Sequence, residues 1–102
     1  MHLASVFGVS EDFSHGAPVF CYVPSAWAER RRTVVWVADE ESVSAVQGLI
    51  APRDRVVVEL CHVAPQDGVG FHEAGGQPRF SSVRKGDRVS GMVVGLLRRL
   101  MR

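Results

Sequence analysis

The feature that most constrains this chain is a series of short runs rich in valine and other β-branched or aromatic residues. The strongest runs are Thr33–Val37, Arg55–Leu60 and 89–97, whose side chains suit the pleated surface of a sheet. Further runs of this kind are Val19–Val23, 69–73 and 78–83. Because about six short strands recur with few helical segments between them, the sequence predicts a mainly β fold, a small curled antiparallel sheet of barrel-like form with short helical turns.

Glycine and proline mark the turns between these runs. Residues 65–68 (Pro-Gln-Asp-Gly) and 85–87 (Lys-Gly-Asp) are typical turn sequences, and Gly75-Gly76 predicts a hairpin between the two strands that flank it. Residues 39–47 are weakly amphipathic and predict one or two helical turns that end at Gly48. The alternation within the strands predicts six inward-facing side chains: Val35, Val37, Val56, Val58, Val93 and Leu97.

The length of the chain allows one domain with one hydrophobic core. A chain of 102 residues buries roughly two-thirds of its unfolded surface when it folds, so it folds alone with little margin. Residues 1–18 are mildly apolar and then turn-rich, which indicates an N-terminal arm. Residues 19–102 contain all the predicted strands and form the predicted domain.

Composition and charge exclude several classes of function. The net charge of +1 gives no general attraction to nucleic acid or to an anionic membrane, so we expect no direct binding to DNA. No apolar stretch approaches the length of a membrane span, and the N-terminus lacks the pattern of a signal peptide, so we expect a cytoplasmic protein. Cys21 and Cys61 lie far apart and outside any metal-ligand spacing, and we expect reduced thiols, no metal and no cofactor.

The familiar catalytic and nucleotide-binding motifs are absent from the sequence. There is no G-x-S-x-G, no H-E-x-x-H and no Walker A motif, and residues 68–70 (Gly-Val-Gly) are too short for a dinucleotide fingerprint. The basic run Arg30-Arg31-Arg32 suits either a phosphate contact or a solvated charged surface. The first of these readings leaves open a small β-barrel that binds a nucleotide or nucleic acid.

The order of the segments along the chain carries more information than any single motif. From the amino end they are Val23-Pro24, the strand at 33–37, residues 39–43, Gly48-Leu49-Ile50, residues 53–58, the turn at 65–68, residues 75–77 and residues 91–98 (Gly-Met-Val-Val-Gly-Leu-Leu-Arg). This order resembles the C-terminal domain of the LexA and UmuD self-cleaving regulators, a group that includes phage repressors. The resemblance covers roughly four-fifths of the chain and is carried above all by its last segment.

The resemblance implies a Ser–Lys peptidase, in which a neutral lysine activates a serine that cleaves the chain's own arm. Ser42 matches the nucleophile of the family's Gly-Asp-Ser-Met loop, although a shift of one residue would place Glu41 there. Phe80 or Ser81 falls where the family has its lysine, and the only lysine of the chain, Lys85, comes several residues later. We therefore expect a family-like scaffold without peptidase activity, with an active Ser42–Lys85 enzyme as the alternative.

The resemblance also implies a cleavage site and a partner. Residues 15–18 (His-Gly-Ala-Pro) are similar to the family's scissile segment, which would place cleavage between His15 and Gly16. The last strand contributes to the dimer interface in that family, and here it is apolar on both faces. We expect a homodimer through Met92, Val94 and Leu96, and a regulatory role through protein partners in phage or stress (SOS) regulation.

Overall fold

A computed structural model describes residues 2–8, 19–23 and 32–98, the first two segments by their backbone alone. This part of the chain contains seven strands and a short 3-10 helix, Ser44–Val46. The strands are β1 (His2–Gly8), β2 (Val19–Val23), β3 (Thr33–Val37), β4 (Arg55–Leu60), β5 (Gly68–Ala74), β6 (Gln77–Val83) and β7 (Gly91–Leu97). The mainly β fold is confirmed, and all six predicted runs form strands.

The strands form one curled sheet in the order β2-β1-β3-β4-β7-β5-β6. All described neighbours pair antiparallel except β1 and β3, which run parallel from Ser5–Val34 to Gly8–Val37. The first part of the predicted arm is therefore a strand inside the sheet. This pairing was not predicted, because it joins segments that are distant along the chain.

The main core lies on one face of the curled sheet. It consists of Val34, Ala38, Val43, Val46, Ile50, Val56, Val58, Phe71 and Phe80. Phe71 contacts Trp36 and Phe80 with ring centroids 5.2 and 5.4 Å apart, so the aromatic rings bridge β3, β5 and β6. A second cluster consists of Ala64, Val83, Val89 and Met92.

The prediction of inward-facing side chains is only partly right. Val56 and Val58 are fully buried in the main core, and half-buried Val93 packs against it. Val35 is equally buried but lies opposite Val57, between the pairs Val34–Val58 and Trp36–Val56. Because side chains alternate along a strand, Val35 and Val37 belong to the other face of the sheet. Strands β3 and β4 are thus buried on both faces, which one-sided alternation does not predict.

Residues 38–54 form a loop that joins β3 to β4 and closes one end of the curl. Its residues Val43, Val46 and Ile50 enter the main core. The Phe80 N–H of the edge strand β6 donates to the Ser42 carbonyl at 2.9 Å. The predicted helical turns within 39–47 appear as the single 3-10 turn at Ser44–Val46. Within the run of strands β3-β4-β7-β5-β6, the two outer strands are β3 and β6. The loop continues from β3 and is hydrogen-bonded to β6, so it connects these two outer strands.

The tight turns follow the glycine positions, with one exception. Gly75 and Gly76 adopt φ values of +60° and +79°, the conformation that a two-residue hairpin loop requires, and the predicted hairpin is confirmed. Arg53 adopts φ +74° just before β4, a region that L-residues other than glycine rarely occupy.

Candidate functional site

Ser42, the predicted nucleophile, is 2% exposed and held by its own loop. Its Oγ donates to the Asp39 carbonyl at 3.0 Å and accepts from the Asp39 N–H at 3.0 Å. The Asp39 Oδ1 in turn accepts from the Ser42 N–H at 2.8 Å. This reciprocal pattern is the kind that caps the first turn of a helix, and it explains why a buried hydroxyl is tolerated here. The proton of Ser42 is directed at a carbonyl oxygen rather than at a base.

Lys85, the predicted base, lies in the exposed turn between β6 and β7. Its backbone N–H donates to Asp67 Oδ1 at 2.8 Å, and the following Gly86 N–H donates to the Ala64 carbonyl. Within the described residues no contact joins Lys85 to Ser42, and Lys85 does not line the cavity beside that serine. The structure therefore leaves the two predicted catalytic residues apart.

A cavity of about 230 Å³ lies beside Ser42, between the loop and the hairpin of β5 and β6. We call it the Ser42 cavity; it is lined by Glu41, Ser42, Ser44, Ala45, His72, Arg79, Phe80 and Ser81. Phe80 and Ser81 are the two residues at which the resemblance places the family's lysine. The cavity's cation is Arg79, whose guanidinium lies 3.6 Å from the Glu41 carboxylate, with both side chains well exposed. Such an exposed pair contributes little to stability.

A larger cavity of about 450 Å³ lies at the other side of the loop, where β7 ends. We call it the Arg98 cavity; it is lined by Glu40, Val43, Gln47, Gly48, Ile50, Ala51, Pro52 and Arg98. Arg98 is held beside Asp54, whose side chain is 3% exposed. The Arg98 Nε donates to Asp54 Oδ1 at 2.9 Å, and its Nη2 donates to Asp54 Oδ2 at 2.7 Å. This bidentate pair joins positions 44 residues apart in the chain.

Asp54 accepts a third hydrogen bond, from the Ala51 N–H to Oδ2 at 2.9 Å. The hydrogen bonds from Arg98 hold the pKa of Asp54 below its ordinary value, although burial acts in the opposite direction. The same contact raises the pKa of Arg98, so the guanidinium stays charged. Asp54 is therefore an ionised, buried carboxylate that fixes both the loop and the position of Arg98.

Two sets of predicted residues lie outside the described part of the chain. These are the cleavage residues His15 and Gly16, and the basic residues Arg30 and Arg31. Arg32, the last residue of that basic run, is exposed.

The predicted interface residues lie on β7 but do not share one face. Met92 is 6% exposed and belongs to the second cluster, whereas half-buried Leu96 packs against the main core. An irregularity in the pairing with β4, which skips Val94, separates them: Val93 pairs with Val58, and Gly95 pairs with Val57. Of the three residues, half-buried Val94 lies at this bulge.

Among the described strands, β7 has a pairing partner on only one side along most of its length. Its pairing with β5 includes only Gly70–Met92 and Phe71–Gly91. Beyond these pairs, no described strand pairs with β7 on the side away from β4, although Val93, Val94 and Leu96 are all half-buried. An apolar strand edge of this kind is a place where another strand can be added.

The chain was compared with family models, with curated proteins and with solved structures. No match was found in any of the three comparisons. Among residues 2–8, 19–23 and 32–98, no helix has the length and apolar character needed to cross a bilayer. The same residues contain no group of three or more His, Cys, Asp or Glu side chains placed to hold a metal ion.

The Arg98 cavity is the feature that sequence reasoning missed. Both Asp54 and Arg98 were visible as parts of motifs, but their pairing requires β4 and β7 to be neighbours. The positions of the two charges could have predicted the pair. Asp54 directly precedes β4, and Arg98 directly follows β7. In an antiparallel pair the start of one strand meets the end of the other, so opposite charges at those positions meet.

Proposed function

We propose that this chain is a non-catalytic regulatory domain, built on a scaffold like that of the LexA and UmuD self-cleaving regulators. In this proposal it acts in the cytoplasm as a homodimer and through protein partners in phage or stress regulation. The absence of peptidase activity is proposed from the surroundings of Ser42. This serine is buried and hydrogen-bonded to Asp39, and Phe80 and Ser81 rather than a lysine lie beside it.

Two further observations support the scaffold. The resemblance places the family's lysine position at Phe80 or Ser81, and both residues line the cavity beside Ser42. The family's turn before its valine-rich strand has glycine before aspartate, and here Arg53 precedes Asp54 with φ +74°. A positive φ is the conformation that glycine adopts at little cost, so the backbone of this turn suits the family's pattern even though its residue differs.

The proposed dimer is supported by the edge of β7 that no described strand pairs. In a two-fold symmetric arrangement, two copies of this edge would pair antiparallel and cover each other's half-buried Val93, Val94 and Leu96. Strand addition supplies backbone hydrogen bonds as well as apolar burial. A regulatory domain without catalysis works through such contacts.

The experiment that tests the loss of activity is incubation at alkaline pH, which deprotonates lysine and promotes Ser–Lys chemistry. The wild type and Ser42→Ala are held side by side and followed by intact-protein mass spectrometry. We expect both to keep their full mass, because the described residues that line the cavity beside Ser42 include no lysine. Scission between His15 and Gly16 that occurs in the wild type and disappears in Ser42→Ala would establish the alternative, an active self-cleaving peptidase that uses Ser42 and Lys85.

A further inference from the structure

The Arg98 cavity has the size and composition of a small-molecule site. Its volume of about 450 Å³ falls within the range of ligand pockets, and its walls combine apolar side chains with a few polar groups. Val43 and Ile50 also belong to the main core, so the apolar wall is fixed by packing. The cavity therefore exists before any ligand arrives.

The polar side of the cavity is equally well fixed. Arg98 uses Nε and Nη2 to hold the buried carboxylate of Asp54, which prevents the guanidinium from rotating away. Among the described residues Nη1 has no hydrogen-bond partner, and the Arg98 side chain is 47% exposed. The donors of Nη1 and the outer donor of Nη2 form a second fork, which matches the two oxygens of a carboxylate.

The charges around the cavity limit what can bind. Among the described residues that line the cavity or bind Arg98, Arg98 carries one positive charge, while Glu40 and Asp54 carry one negative charge each. A group with two negative charges, such as phosphate, is disfavoured there, and recognition rests on directed hydrogen bonds beside an apolar wall. We infer that the cavity binds a monocarboxylate with an apolar tail, with the carboxylate on Arg98 and the tail against Val43 and Ile50.

The ligand class is tested by titrating the full chain and following its backbone amide signals by NMR. The probes are hexanoate, its neutral analogue hexanamide, acetate, which lacks the tail, and inorganic phosphate. We expect hexanoate to shift the amides of Gly48, Ile50 and Ala51 at millimolar concentrations, and each other probe to bind at least about tenfold more weakly, because it lacks a charge-assisted hydrogen bond or apolar burial. A comparison of hexanoate with N-acetyl-leucine then distinguishes a free acid from the carboxyl end of a peptide.

Four variants locate the site. Arg98→Lys keeps the charge beside Asp54 but loses the fork, and it should weaken hexanoate binding about tenfold. Ala51→Leu fills the cavity without changing the ion pair and should abolish binding, whereas Glu40→Gln removes a repelling charge and should strengthen it severalfold. Arg79→Gln, which alters the arginine of the Ser42 cavity, is the control and should leave binding unchanged.

Each variant is first checked for a folded spectrum, so that a loss of binding is not a loss of structure. The inference is wrong if hexanamide binds as tightly as hexanoate, if Arg98→Lys and Ala51→Leu leave binding unchanged, or if tens of millimolar hexanoate shift no signal at the cavity. A response to phosphate alone would also overturn it. None of these outcomes affects the proposed dimer, which uses β7 and not the cavity.

Discussion

Ser42 and Asp54 are both buried polar side chains of the loop at 38–54, yet they obtain their hydrogen-bond partners in different ways. Ser42 is satisfied by Asp39, three residues away, so its environment is complete within the loop. Asp54 depends on Arg98, which lies beyond four further strands. The local network therefore needs only the loop, whereas the long-range pair forms only when β7 lies beside β4.

The two residues also differ in charge. Ser42 is neutral, and its hydroxyl exchanges hydrogen bonds only with the backbone of Asp39, an exposed residue. Asp54 is an ionised carboxylate in a nearly closed site, and loss of either partner leaves polar groups unpaired. We therefore expect substitutions at the two positions to differ in size and in pH dependence.

The largest effect is expected for Asp54→Ala. This change removes the acceptor of the Ala51 N–H and of Arg98, and it should lower the free energy of unfolding by about 2 kcal/mol. Urea unfolding followed by tryptophan fluorescence measures it. Glu40→Ala, at an exposed acid of the same loop, is the control, and equal effects of the two variants would show that the hydrogen bonds of Asp54 contribute nothing.

An effect of intermediate size is expected for Asp54→Asn, whose stability should depend less on pH than that of the wild type. The pKa of Asp54 is lowered on folding, so its contribution to stability is complete above the unfolded value of about 4 and is lost as the pH falls through the folded value. Asp54→Asn should therefore be less stable than the wild type at neutral pH and should lose less stability on acidification. Urea unfolding between about pH 7 and pH 3 compares the two proteins.

The control for the pH experiment is Glu73→Gln, which removes an exposed carboxyl on β5. Its acid profile should follow that of the wild type. Parallel profiles for wild type and Asp54→Asn would contradict the assignment of the acid sensitivity to Asp54.

The smallest effect is expected for Ser42→Ala. The substitution breaks the reciprocal contacts with Asp39 while leaving the Ser42 carbonyl to accept from Phe80, so it should cost about 1 kcal/mol at any pH. Ser44→Ala, at an exposed position in the same turn, should have no effect. A cost for Ser42→Ala as large as that for Asp54→Ala would remove the distinction between local and long-range networks.

The strands were predictable because their signals are local. Runs of β-branched residues such as Thr33–Val37 and Arg55–Leu60 form strands wherever the sheet places them, and Gly75-Gly76 determines its own hairpin. The parallel pairing of β1 with β3 was not predictable, because nothing in residues 2–8 specifies a partner. The burial of Val35 and Val57 on the second face was likewise not predicted by one-sided alternation.

The candidate site was predictable to a similar degree. The resemblance placed Phe80 or Ser81 at the family's lysine position, and both residues line the cavity beside Ser42. It did not reveal that Asp39 engages the Ser42 hydroxyl, nor that Met92 and Leu96 lie on different faces. The second point follows from the bulge at Val94, a shift of one residue that reverses which face the later side chains occupy.

The mass of the protein in solution tests the proposal that the domain acts through the edge of β7 that no described strand pairs. Light scattering of the wild type at micromolar concentration should give the mass of a dimer, and Val94→Glu should give a folded monomer, because a charge at the bulge opposes strand pairing. Leu49→Glu, at a 58% exposed apolar side chain on the loop, should stay dimeric. A wild type that is monomeric at high concentration, or a Val94→Glu variant that stays dimeric, would contradict the claim.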